Sequence, residues 1–320
     1  MKAIRIHNYG GPEVLKYEDA PRPEPRADEV LIRVHGAGVN PIDWKVREGE
    51  MKEFWPHKFP LILGWDLSGV VEKVGARVSR FKKGDEVYSL PDPTRNGAYA
   101  EYIVVRESEI ALKPKSLHHI RAAAVPLAGL TAWQALFDTA QLQPGQRVLI
   151  HGGAGGVGHF AVQLAKWKGA HIIATASAKN HELLHKLGTD EIIDYTRQRF
   201  EDVAQDVDVV LDTIGGETQE RSWPVLKKGG ILVSLVQPPS GKKAEELGVR
   251  AALLGAQSNG AQLAEIANIV DSGRLMPVID RILPLSEARR AHELSQSNHI
   301  RGKIVLRVKN WDGSLERKRR

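Results

Sequence analysis

A chain of 320 residues exceeds what a single hydrophobic core ordinarily supports, so two domains are expected. Its 42% hydrophobic and 26% charged residues are ordinary globular values that exclude disordered and fibrous classes, and no run approaches the roughly 20 apolar residues of a membrane span. The absence of cysteine excludes disulfides, thiolate catalysis, thiolate-bound zinc and iron–sulfur clusters, while a net charge of +6 is modest and comes with no nucleic-acid-binding motif.

Met1-Lys2-Ala3-Ile4-Arg5-Ile6 alternates like a strand and lacks the apolar run of a secretory signal, so a cytoplasmic protein with no membrane partner is expected. Further strands are predicted at 30–34, 69–74 and 85–89. Clusters such as Pro21-Arg22-Pro23-Glu24-Pro25 and Lys82-Lys83-Gly84-Asp85 separate them, fixing dihedrals that strands do not use. Residues 1–115 therefore read as the first part of a β-rich domain. From about Gln146 the texture becomes strand, glycine turn, helix, strand, with strands at 147–150, 171–175, 191–193, 207–211 and 230–235. Their nearly continuous apolar runs suit parallel strands covered on both faces. Alternating βα units predict a doubly wound α/β sheet over 116–256. A helix at 262–272, a strand at 278–283, a helix at 286–295 and a strand at 303–308 are expected to return to the β-rich domain as 257–308. Residues 309–320 form a basic tail, read as a frayed, flexible terminus.

One segment carries chemistry. Gly153-Ala154-Gly155-Gly156-Val157-Gly158 satisfies G-x-G-x-x-G directly after a buried strand and directly before a helix marked by Val157, Ala161, Leu164 and Ala165. Glycine there permits a tight turn and close backbone approach to a pyrophosphate, and the helix N-terminus offers its unpaired N–H groups to the phosphates. About 20 residues on, where NAD-binding chains place an acid, stands Ala174-Thr175-Ala176-Ser177-Ala178-Lys179. An acid would repel a 2′-phosphate, whereas the hydroxyl of Ser177 and the cation of Lys179 favour it, so NADPH is the predicted cofactor. Tyr195, just past the third strand of this sheet, is a candidate wall of the adenine or phosphate pocket.

The chain resembles the medium-chain dehydrogenase/reductase superfamily, and within it the zinc-free quinone and enone reductases related to zeta-crystallin. The resemblance runs nearly to Val308 and is carried by 38-GVNPID-43, 64-GWDLSGVV-71, 97-GAYAEY-102, 130-LTAW-133, the glycine loop and 301-RGKIVL-306. It implies a Rossmann-type cofactor domain beside a GroES-like catalytic domain, transfer of hydride from NADPH to a small-molecule quinone or α,β-unsaturated carbonyl, and a homodimer joined through the Rossmann domain. In zinc-dependent relatives a cysteine matches Asn40 and a histidine matches Trp65, so the resemblance implies no metal; Asp43 and Asp66 alone make a poor zinc site.

By the same resemblance Asn40 faces the nicotinamide and substrate, and Lys45 matches a position that is often lysine in alkenal/one reductases, where it stabilises an enolate or is simply solvated. Thr131 matches a threonine near the cofactor, and Lys303 one that closes over the phosphates. Ile214, with Gly215 and Gly216, and the segment Leu235, Val236 and Gln237 are implied to lie along the nicotinamide half. For His151, beside the loop, packing outweighs ligand contact. The alternatives are an enoyl-thioester reductase on the same fold and a non-enzymatic, crystallin-like NADPH-binding protein.

Overall fold

The computed structural model describes residues 1–297 and 300–309, so the basic tail beyond 309 lies outside the described residues. The chain forms two compact units. The first comprises Met1–Leu127, Ser258–Ser272 and the chain from Ile279; the second comprises Ala128–Gln257 and Gly273–Val278.

The first unit contains β1 (Lys2–Ile6), β2 (Lys16–Asp19), β3 (Glu29–Val39), α1 (Pro41–Glu48), β4 (Leu61–Ile62), β5 (Leu67–Val74), β6 (Glu86–Ser89), β7 (Tyr102–Arg106), β8 (Ile110–Leu112) and α2 (His119–Ala122). Strand β3 is the spine of a seven-stranded sheet, pairing with β5 and β7 along one part and with the C-terminal strand along another. Ten of its eleven residues are buried, which explains its long apolar run. Helix α1 follows directly: Asn40 caps it, Pro41 occupies the first position, where no N–H is needed, and Gly49 ends it at φ 85°.

The opening stretch of the first unit runs to Leu127, as α2 and the turn after it pack on β3. Ala123, Ala124 and Val305 form a small core there. Gly38 makes the close approach possible: a Cβ on it would lie 2.6 Å from the Ala123 carbonyl oxygen and 2.7 Å from an oxygen of Asp66.

Helix α3 (Pro126–Trp133) runs into a π-helical turn, Gln134–Thr139. The second unit then alternates β9 (Arg147–Ile150), α4 (Gly158–Lys168), β10 (His171–Ala176), α5 (His181–Leu187), β11 (Glu191–Asp194), β12 (Val207–Asp212), α6 (Gly216–Ser222), β13 (Leu226–Ser234), α7 (Gly241–Leu247) and β14 (Arg250–Leu253). These strands form one all-parallel sheet in the order β11-β10-β9-β12-β13-β14. Leu149, Ile173, Phe200, Val210, Trp223 and Leu232 are among the side chains of its buried core. The order reverses between β9 and β12, which makes the carboxyl ends of those two strands the topological switch point.

Helix α8 (Gly260–Asp271), β15 (Ile279–Pro284), α9 (Ala288–Gln296) and β16 (Lys303–Arg307) belong to the first unit. Between α8 and β15 the chain returns briefly to the second unit, where Gln163 and His159 of α4 pair with the backbone of Met276 and Val278.

Candidate functional site

In the second unit the predicted cofactor residues gather at the carboxyl ends of the parallel strands. The glycine loop leaves β9, Ser177 leaves β10, Tyr195 leaves β11, Ile214 leaves β12, and Leu235, Val236 and Gln237 leave β13. The pairing of Ala176 with Asp194 sets Ser177 and Tyr195 on neighbouring strand exits. Ser177 is half-buried and Lys179 exposed. Tyr195 is 61% exposed and borders a depression of about 490 Å³ shared with Arg197, Arg199 and Arg221. Thr131 is buried in α3.

The loop is held from below by residues that motif reading passed over. Gly152 N–H donates to Thr175 Oγ1 at 3.1 Å and Gly153 N–H to the Thr175 carbonyl at 3.0 Å. His159, one residue into α4, donates from Nδ1 to the Gly155 carbonyl at 2.8 Å, since its Nε2 accepts from Val278 N–H. His151 lies beneath the loop, bonded to Ser222 and Thr175, and burial pushes its imidazole down to about 4, so it is neutral at pH 7. It packs and does not reach outward, as the sequence suggested. Asp212, fully buried at the end of β12, accepts from Ile214 N, Gly215 N, Gln219 Nε2 and Ser234 Oγ, and Gln219 in turn bonds Gln237. One carboxylate thus ties the two strand exits assigned to the nicotinamide half.

A dinucleotide fits this loop. A Cβ on Gly158 would stand 2.2 Å from the Gly152 carbonyl oxygen, so only glycine allows the tight strand-to-helix turn. A Cβ on Gly155 would meet nothing within 4 Å but that same oxygen at 3.2 Å, leaving an open cradle that a side chain would fill. In the first turn of α4 the N–H groups of His159 and Phe160 donate to the Gly155 and Val157 carbonyls.

In the first unit Asn40 and Lys303 are brought together. Pairing of Ile304 with Val39 sets Lys303 beside Asn40, and its ammonium donates to Asn40 Oδ1 and lies 3.2 Å from Asp66 Oδ2. Asn40 Nδ2 donates to the same carboxylate oxygen at 2.9 Å, and Leu127 N–H donates to Asp66 Oδ1 at 2.6 Å. Asp43, at the third position of α1, accepts at Oδ2 from Asn40 N–H at 2.8 Å and from Tyr99 Oη at 2.7 Å; its buried Oδ1 has no partner among the described residues. Burial pushes the Asp43 carboxyl up to about 7 and raises Asp66 as well, against the pull of Lys303.

The Lys303 side chain is 2% exposed, and its charge is engaged with Asn40 and Asp66, because two carboxylates buried in one unit require a counter-charge. Lys45, one turn along α1, is half-buried with its ammonium 5.7 Å from the Trp44 ring centre. The residues missed by sequence reasoning are Thr175, His159, Asp212 and Tyr99. For the role of Asp43 a signal existed, since asparagine followed three residues later by an acid is capping-box spacing.

The donor set does not fit a catalytic zinc. Trp65, where a ligand would be needed, is buried with its indole N–H donating to the Arg95 carbonyl at 3.1 Å, and Asp66 already bears the Lys303 ammonium.

Comparison with known proteins matches residues 26–115 to the alcohol dehydrogenase GroES-like domain and residues 187–306 to the zinc-binding dehydrogenase family. The chain is 39% identical to an NADPH-dependent alkenal/one oxidoreductase, chloroplastic, of Arabidopsis thaliana, over 96% of this chain and 79% of that protein. Among solved structures, the quinone oxidoreductase from Coxiella burnetii matches with a TM-score of 0.89 at 39% identity, covering 97% of this chain and 99% of that one. The Escherichia coli quinone oxidoreductase complexed with NADPH matches with a TM-score of 0.87 at 28% identity, covering 96% and 100%.

Proposed function

The chain belongs to the quinone and alkenal/one oxidoreductases of the medium-chain dehydrogenase/reductase superfamily, and on that premise we propose that it passes hydride from NADPH to a quinone or α,β-unsaturated carbonyl without zinc. The observation that supports this reading is the acid-free exit of β10 at Ser177 and Lys179, together with the open glycine cradle that follows β9.

When bound, NADPH supplies the hydride and leaves as NADP⁺; water supplies the proton that completes reduction of the acceptor. The protein's residues bind and orient. The α4 N-terminus and loop amides receive the pyrophosphate, Ser177 and Lys179 the 2′-phosphate, and Tyr195 the adenine side. Backbone groups of Ile214 and of the Leu235, Val236 and Gln237 segment, with Thr131, serve the nicotinamide half. Asn40 donates to the acceptor oxygen on which negative charge collects, and Lys45 adds a positive charge to an enolate. A dimer joined at the exposed edge strand β14, where Leu253 is 51% exposed, and a cytoplasmic location complete the proposal.

The test is a panel assay following NADPH absorbance with quinones, enones, alkenals, enoyl thioesters and simple ketones, before and after exhaustive chelation. Turnover of quinones or enones that survives chelation is expected. Preference for enoyl thioesters moves the substrate class, loss on chelation refutes the zinc-free reading, and NADPH binding without turnover of any acceptor leaves a binding protein.

A further inference from the structure

The Asn40 amide is fixed at both ends. An ammonium has only donors and a carboxylate only acceptors, so Lys303 on Oδ1 and Asp66 on Nδ2 orient the amide one way. Asp66 takes one of the two Nδ2–H bonds, and no partner for the other is seen among the described residues. A positive charge on an amide oxygen draws electron density from nitrogen and makes its hydrogens stronger donors, an effect enhanced in a buried, low-dielectric setting. All three side chains are almost wholly enclosed, with Asn40 at 3% exposure.

From this geometry we infer that Lys303 is a positioning residue that acts through Asn40: its ammonium polarises the amide so that the second Nδ2–H is presented as a strengthened donor to the carbonyl oxygen of the acceptor. The inference rests on the proposed reductase reading and assigns to Lys303 the charge that a metal would otherwise bring. The competing role is simple neutralisation of Asp66. The two are separable, because removing both charges restores neutrality but not polarisation.

The experiment compares the unmodified protein with Lys303→Met and with Lys303→Met/Asp66→Asn, using single-turnover hydride transfer from NADPH and its deuterated form. With Lys303→Met the transfer rate is expected to fall about tenfold or more with NADPH affinity within twofold, the pattern of a contact that strengthens in the transition state. The double variant is expected to recover thermal stability without recovering rate. In parallel, the side-chain amide proton resonances of Asn40, read with asparagine labelled in ¹⁵N, are expected to move upfield in both variants. Rate restored in the double variant would reduce Lys303 to a counter-ion, and an unchanged amide resonance would refute polarisation. Weakened NADPH binding at an undiminished rate would return Lys303 to the phosphates. Should Lys303→Met fail to fold, the charge-balanced double variant still decides the matter. If no acceptor is reduced by the unmodified protein, the reductase reading fails while the resonance still reports on the polarised amide.

Discussion

Thr175→Val probes the support of the glycine loop. Ser222 Oγ donates to the Thr218 carbonyl, so it accepts from His151 Nε2–H, and the neutral His151 must then accept at Nδ1. The Thr175 hydroxyl therefore donates to His151 and accepts from Gly152 N–H, at 3.3 and 3.1 Å. Valine keeps the shape and the β-branched strand preference but removes both bonds, leaving a buried imidazole nitrogen and a half-buried N–H unpaired. At roughly 1 kcal/mol for each lost bond the cost is about 2 kcal/mol, and a unit of this size should lose about 4–8 °C in Tm. If about 1.4 kcal/mol of that falls on the loop's competent shape, NADPH Kd rises about tenfold. Thermal unfolding with and without saturating NADPH, together with a fluorescence titration, reads both numbers, and Thr175→Ser should keep the parental values. A Tm that falls while Kd stays within twofold would show that the loop holds its shape without this hydroxyl and would refute the argument.

Asp43→Asn tests the buried carboxyl. With a native value of about 7 against an ordinary 3.8, the folded state keeps a proton that the unfolded chain has released, so this group's contribution to stability declines as pH rises from about 4 to 7 and is level above. Urea unfolding across that range should show the unmodified protein losing stability relative to the variant by up to about 4 kcal/mol, and parallel curves would rule the assignment out. Lys179→Ala should weaken NADPH binding about fivefold and leave NADH unaffected, as expected for one exposed cation on a phosphate; equal affinities of the unmodified protein for the two cofactors would remove the 2′-phosphate site. Lys45→Ala should lower kcat with enones about tenfold at constant NADPH affinity, and an unchanged kcat would strike Lys45 from the catalytic set while leaving Asn40 in place.

The sequence by itself determined the parallel sheet and its glycine loop and pointed to NADPH, because those readings depend on local relations. A buried strand ending three residues before Gly153, helical spacing from Val157 and the absence of an acid at Ser177 can all be read within about 30 residues. Thr175 was visible but unassigned, since only the pairing of β10 with β9 brings its side chain under Gly152. His159 looked like any polar residue in a helix until its two ring nitrogens met the Gly155 carbonyl and the Val278 N–H, 119 positions away in the second case. The buried network of the first unit was out of reach for the same reason. Asn40 and Asp66 lie 26 positions apart, and Asn40 and Lys303 are 263 apart. Read singly, Lys303 is by resemblance a lysine over the cofactor phosphates and Asp66 one of two carboxylates that make a poor zinc site. Antiparallel pairing of β16 with β3 sets the lysine beside the asparagine, and the missing side chain of Gly38 lets Asp66 close the triangle. Burial then decides the chemistry, because removing these charges from water forces them to satisfy one another.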